Sequence, residues 1–195
     1  MEPARSLRTR EETPSDEREL VEAVLRRDRK ATAEFVDRYA DCVYSYIRRR
    51  LAPRPEAVDD LVQDVFIAAW QGLGHFRADA TLEQWLLGIA RHKVEDHYRR
   101  RLREAELPDG DQESVVEPAV VPQLEEELDR TFQGEKVQRV LALIPETYSL
   151  ALLWRYQEER SVREMAQMTG KTEKAIERLL ARARESFRKR WNHGQ

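Results

Sequence analysis

The sequence predicts an all-α protein built as two helical domains. Three observations carry this. Apolar residues recur at i, i+3 and i+4 in one stretch after another. Pro and Gly are sparse, 8 and 7 among 195 residues, and no valine- or isoleucine-rich alternating run reads as a strand. A single acidic, proline-containing stretch divides the periodic segments into two groups. The division gives a disordered tail over 1–16, an N-terminal domain over 17–103, a linker over 104–123 and a C-terminal domain over 124–195.

The tail is charged and poor in apolar residues, a composition that cannot bury a core. A first helix is expected from Glu17 to Arg27, with Leu20, Val21, Val24 and Leu25 inward. Thr32 is placed to cap a second, in which Phe35, Val36, Tyr39, Val43, Tyr46 and Ile47 follow helical spacing. Pro53 and Pro55 stop it after Arg48, Arg49 and Arg50. Cys42 lies within this helix and reads as a small buried or half-buried thiol. As the only cysteine it excludes an intrachain disulfide and a cysteine zinc site. A reducing cytoplasm fits that usage.

The third helix is DDLVQDVFIAAWQGL, ended by Gly72 and Gly74. Leu61, Val65 and Ala68 form its inward stripe. Asp60 and Asp64 sit one turn apart with Gln63 beside them, and Phe66 and Trp70 are also one turn apart. Acidic and bulky apolar groups on one helix can make a docking surface for a partner. A solvated acidic face is the plainer alternative.

After the loop HFRADAT, Thr81 and Gln84 have capping-box spacing. The helix that follows has Trp85, Leu86, Ile89, Ala90, Val94 and Tyr98 available for burial. It also carries Arg91, His92, Lys93, His97, Arg99, Arg100, Arg101 and Arg103. Cations interleaved with rings suit single-stranded DNA. The cations neutralise phosphate, and His75 or Phe76 can stack on an unstacked base, worth about 1–3 kcal/mol per base. A metal site at His92, Glu95 and His97 is rejected. Paired histidines on a helix need i, i+4 spacing, and these are five apart, about 140° around the axis. No metal or other cofactor is expected. No phosphate loop, nucleophile elbow or Ser/His/Asp ordering appears, so no enzymatic chemistry is expected either.

The C-terminal domain is expected to open with a helix from near Leu124 through Leu128, Phe132, Val137, Val140, Leu141 and Ile144. Pro145 starts another, with Tyr148, Ala151, Leu152 and Tyr156 for the core. Then comes SVREMAQMTGKTEKAIERLLARARESFRKRW, two helices joined by a tight turn. Ser161 and Glu164 have capping-box spacing, and Val162, Met165 and Ala166 give one apolar side. Gly170 suits a left-handed helix end, and Thr172 can cap the second helix. There Ile176, Leu179, Leu180, Ala183 and Phe187 form the buried stripe. Lys174, Arg178, Arg182 and Lys189 lie opposite. This is how a helix-turn-helix enters the DNA major groove, although an ordinary antiparallel helix pair has the same pattern.

The net charge of −3 argues against a polyanion partner until its distribution is considered. Ten of the 37 acidic residues fall between Glu104 and Asp129, where there is no Lys or Arg. All 34 basic residues therefore face the other 27 acids. Placement outweighs total charge in binding nucleic acid. No apolar run approaches the roughly 20 residues of a membrane span, and the first residues have no signal-peptide core.

Four stretches together resemble the extracytoplasmic-function sigma factors, the two-domain specificity subunits of bacterial RNA polymerase. DDLVQDVFIAAW is similar to their helix that docks on the polymerase clamp coiled coil. FRADATLEQWLLGIARHKVEDHYRRR is similar to the promoter-melting loop and its helix. LALIPETYSLALLWRYQEERSVREMAQMTGKT and AIERLLARARESFRKR resemble the opening of the C-terminal domain and its recognition helix.

The resemblance implies that Asp60, Gln63, Asp64, Phe66 and Trp70 contact core polymerase, whose flap would hold the C-terminal domain. It implies that Phe76, Arg77, His92 and Asp96 hold a flipped minus-ten base, with Arg91, Lys93, Arg99, Arg100 and Arg101 along phosphates. Thr172, Lys174, Glu177, Arg178, Ala181 and Arg182 would face the minus-thirty-five duplex, and Arg155 a phosphate. Glu177 and Leu179 stand where relatives often carry basic residues, and His92 replaces a commoner asparagine. Glu177 either accepts from a cytosine amino group or pairs with a neighbour. The family also implies an anti-sigma factor. A helix-turn-helix regulator acting without polymerase is the competing reading. It leaves the docking helix and the melting loop without a task. The acidic linker suits either a mimic of a nucleic-acid strand or a plain spacer.

Overall fold

The computed structural model describes residues 14–105 and 134–193. Among these residues the chain forms helices and turns and no strand. The N-terminal group is α1 (Pro14–Leu25), α2 (Arg29–Leu51), α3 (Val58–Gly72) and α4 (Leu82–Glu104). The C-terminal group is α5 (Glu135–Leu143), α6 (Glu146–Leu152), α7 (Val162–Thr169) and α8 (Glu173–His193). A π-helical turn, Leu153–Gln157, continues α6. The expected linker and the helix start around Leu124, Leu128 and Phe132 lie outside the described residues.

Helical periodicity explains the N-terminal bundle. Phe35, Tyr39, Val43 and Ile47 repeat every fourth residue along α2 and are almost fully buried. Leu61 and Val65 of α3, and Leu86, Ala90, Val94 and Tyr98 of α4, meet them. Each such aliphatic or aromatic side chain withdrawn from water contributes about 1.5–3 kcal/mol. Val36 and Tyr46 are half-buried at the edge of the stripe. Cys42 is half-buried too, and burial pushes its thiol up to about 11.

Several boundaries differ from expectation. α1 begins at Pro14, inside the expected tail, and Leu25 is 49% exposed instead of inward. Asp28, not Thr32, caps α2, accepting from the N–H groups of Lys30 and Ala31. Aspartate is the stronger cap, and the helix therefore starts one turn earlier. The inward alanine of α3 is Ala69, while Ala68 is half-buried. α4 runs through Glu104, where the linker was expected to begin. Trp85 and Ile89 are half-buried, and His97 joins the core.

The C-terminal group packs around α8. Ile176, Leu179, Leu180, Ala183 and Phe187 are all buried, against α6 and α7. Tyr148 and Tyr156 are half-buried, while Trp154, unremarked in the sequence, is completely buried.

The two groups share one core, because α4 also lies against α6 and α7. Helix C-terminal carbonyls, which lack intrahelical partners, supply much of the junction. Arg54 donates to the carbonyls of Ala142 and Ile144 at the end of α5, at 3.2 and 2.8 Å. Lys171 donates to the Ala105 carbonyl after α4, at 3.2 Å. Arg101 pairs with Glu146 at 2.6 Å. Arg50–Glu158 and Arg160–Glu95 are further ion pairs between the two groups.

Candidate nucleic-acid interface and docking face

The loop between α3 and α4 is held at both ends. Leu73 is buried at its start, and the Phe76 N–H donates to the Leu73 carbonyl. At its end Thr81 and Gln84 form the expected capping box. Ala78 takes a left-handed φ of 56°. Phe76 is half-buried, its ring 5.4 Å from that of Trp85, and Arg77 is exposed.

From Trp85 onward, a face of α4 turned from the core carries Gly88, His92, Asp96, Arg99 and Arg103 at three- and four-residue steps. His92, Asp96 and Arg99 are exposed, and Asp96 pairs with Arg99 at 2.8 Å. This brings Phe76, His92, Asp96 and Arg99 of the expected minus-ten set to one surface. Lys93 and Arg100 lie toward one edge of it and Arg91 toward the other, close to Tyr46 of α2. Arg101 points instead at Glu146, so its charge is already partnered. Trp85 was among the residues available for burial, and it is half-buried. Its contact with Phe76 makes it part of this surface, and its spacing to Gly88 and His92 was the available signal.

His92 is exposed and His97 is buried, so the two histidines face different surroundings. Among the described residues no group of three His, Cys, Asp or Glu side chains can hold a metal. Burial, followed by Arg100 and Arg101, holds His97 below its ordinary 6.5, against the attraction of Glu146.

In the C-terminal group, Ser161 and Glu164 form the second capping box. Gly170 closes α7 at φ 72°, a left-handed conformation that glycine adopts without a Cβ clash. Thr172 then accepts from the Ala175 N–H at 3.2 Å, starting α8. Lys174, Glu177 and Arg178 are exposed, and Ala181 and Arg182 are half-buried beside them. Leu179 is in the core, which explains why no cation is needed at that position. Arg155 sits in the π-helical turn with its guanidinium 5.5 Å from the Tyr156 ring.

α3 presents Asp60, Gln63 and Asp64 together on its solvent side. Trp70, 43% exposed, and Ile67, 41% exposed, add apolar area there. Ile67 was missed because an isoleucine in an apolar-rich helix reads as core. Trp70 also borders a groove lined by Arg29, Thr32, Ala33, Val36 and Asp37 of α2. Phe66 corrects the expectation. It is 5% exposed and meets Phe35 edge-on at 5.8 Å, so it packs beneath the candidate docking face and is not part of it.

Among the described residues no helix is long and apolar enough to cross a membrane. Residues 35–104 match the family described as Sigma-70 region 2, and residues 134–187 match Sigma-70, region 4. The RNA polymerase sigma factor NccH of Alcaligenes xylosoxydans xylosoxydans is 30% identical over 172 residues, 88% of this chain and 92% of that protein. YlaC of Bacillus subtilis, an RNA polymerase sigma factor, is 27% identical over 83% of this chain and 92% of its own. SigW of the same organism, an ECF RNA polymerase sigma factor, is 27% identical over 87% and 93%. With both matched regions on one helical chain in that order, the protein belongs to the extracytoplasmic-function family of RNA polymerase sigma factors.

Proposed function

We propose that this chain directs promoter-specific initiation in three physical steps. Asp60, Gln63, Asp64, Ile67 and Trp70 dock α3 on core polymerase. Exposed Lys174, Glu177 and Arg178, with Ala181 and Arg182, read the minus-thirty-five duplex through α8. Phe76, Trp85, His92 and Arg99 trap melted minus-ten DNA by stacking and phosphate neutralisation. The observation that carries this reading is the separation of an apolar–acidic face on α3 from a ring-and-cation face on α4 of the same bundle. A regulator acting without polymerase has no use for the first. The chain performs no chemistry on this reading, and acts in the cytoplasm where polymerase and chromosome are. A protein inhibitor would act by masking these surfaces.

The closed arrangement must open for this work. Elements about 25 base pairs apart lie ~85 Å apart along duplex DNA at ~3.4 Å per step. About 150 residues packed together have a radius of gyration of only ~15 Å. Polymerase binding therefore has to part α4 from α6 and α7. Run-off transcription with core enzyme over a promoter library tests the whole reading. Asp64→Arg should abolish core binding and leave duplex affinity intact. Arg182→Ala should weaken promoter binding by about 1–3 kcal/mol with relaxed base preference. Start-site choice unaltered by adding the chain would overturn the reading.

A further inference from the structure

The first helix, α1, lies outside the stretch that matches the family, which begins at residue 35. It nevertheless touches both ends of the loop that presents Phe76. Both carboxylate oxygens of half-buried Glu17 lie 3.2 Å from the backbone nitrogen of Leu82, the first residue of α4. Eight residues on, Leu25 reaches the other end, its Cδ2 4.0 Å from where a Cβ on Gly74 would stand. Eight helical residues span about 12 Å, so α1 lies like a splint along the loop.

The chemistry of the Glu17 contact is specific. The first N–H groups of a helix have no intrahelical acceptor, and their aligned dipoles favour a negative charge. Thr81 takes the Gln84 N–H, which leaves the Leu82 N–H to Glu17. Two acceptors from different parts of the chain thus fix the start of α4. One turn into that helix stands Trp85, against which Phe76 packs. A helix start free to fray would let this ring pair turn.

We propose that Glu17 is a positioning residue for the minus-ten reader, and that α1 is a working part of that reader. Resting on the function proposed above, this assigns α1 the task of keeping the Phe76–Trp85 pair oriented before DNA arrives. Glu17 itself touches no base.

The test uses the full chain with core polymerase and a promoter it serves. Glu17→Ala, Glu17→Gln and Phe76→Ala are compared for core affinity, for permanganate reactivity of melted minus-ten thymines, and for amide exchange over residues 76–85. Glu17→Ala should lower open complexes at least fivefold and speed exchange over 76–85, with core affinity unchanged. Glu17→Gln should retain more than half of the opening, because its carbonyl oxygen still accepts from Leu82. Wild-type opening in Glu17→Ala would overturn the proposal. So would unchanged exchange, or a fall in core affinity in step with opening. If Phe76→Ala opens like wild type, the loop is not the base reader; exchange over 76–85 then decides the Glu17 contact by itself.

Discussion

Tyr98 of α4 and Trp154 of the C-terminal group stack across the domain junction, ring centroids 6.2 Å apart and planes 12° from parallel. Neither ring is exposed at all. The Tyr98 hydroxyl donates at 2.6 Å to the Arg50 carbonyl, one of the carbonyls that α2 leaves unpaired at its end. One side chain therefore closes a helix, fills the N-terminal core and anchors the second domain. Tyr98→Phe keeps the stack and loses one buried hydrogen bond, so urea unfolding should show a loss of about 0.5–1.5 kcal/mol. Tyr98→Ala also leaves a cavity and should cost about 3–5 kcal/mol, with tryptophan emission shifted to the red as Trp154 meets water.

The cross-domain ion pairs differ in their expected worth. Arg101 and Glu146 keep 45% and 42% of their side-chain surface in solvent. Such a pair contributes at most about 1 kcal/mol, and salt screens it. Arg50 and Glu158 keep only 24% and 11%, and Arg50 also lies over the Tyr46 ring at 4.4 Å. Glu158→Gln leaves that guanidinium half-buried without its counter-charge and should loosen the closed form more than Glu146→Gln. Energy transfer between dyes on the two domains of the free chain measures the difference. Equal effects would mean that packing, not charge, holds the domains shut.

The run Arg99–Arg101 shows what the sequence can and cannot say. As composition it is one basic cluster. On a helix, neighbouring residues point about 100° apart, so three consecutive arginines cannot share a surface. Arg99 stays with the ring face, Arg100 lies at its edge and Arg101 turns to the second domain. The buried stripe of α8 was legible residue by residue because its spacing alone decides burial. Phe66 and Trp70, one turn apart on α3, were not separable this way. The approach of Phe35, from another helix, helps make the first of them core. The tie between Glu17 and Leu82 joins residues 65 positions apart, which no local pattern reveals.

A pH dependence follows from His97. Its imidazole is buried beside Arg100, Arg101 and Glu146, and its Nδ1 has no hydrogen-bond partner. Its folded pKa lies below 6.5, so the unfolded chain binds the proton more readily. Stability contributed by neutral His97 should be complete above pH 6.5 and decline as pH falls below it. The carboxylates of Asp28, Glu164 and Glu185 are held low by hydrogen bonds from the Ala31 and Lys30 backbone, from Ser161 and from Lys189 respectively. Their contribution is lost at more acidic pH, declining from the usual carboxylate range downward. Urea midpoints between pH 7.5 and 5.5 should therefore fall for the native sequence and stay flatter for His97→Gln.

Gly88 separates a demand of folding from a demand of function. It lies inside α4, exposed, one turn after Trp85 and one turn before His92, and a Cβ added there meets nothing within 4 Å. Glycine inside a helix is less favourable than alanine by about 0.5–1 kcal/mol. Gly88→Ala should accordingly stabilise the free chain by that amount in urea unfolding. On the proposed function, the same bare backbone is where a base or sugar comes close between the two rings. Open-complex formation should then fall from Gly88→Ala to Gly88→Leu, while core polymerase affinity holds. A larger side chain that stabilises the helix and leaves opening untouched would mean that DNA does not approach this face of α4.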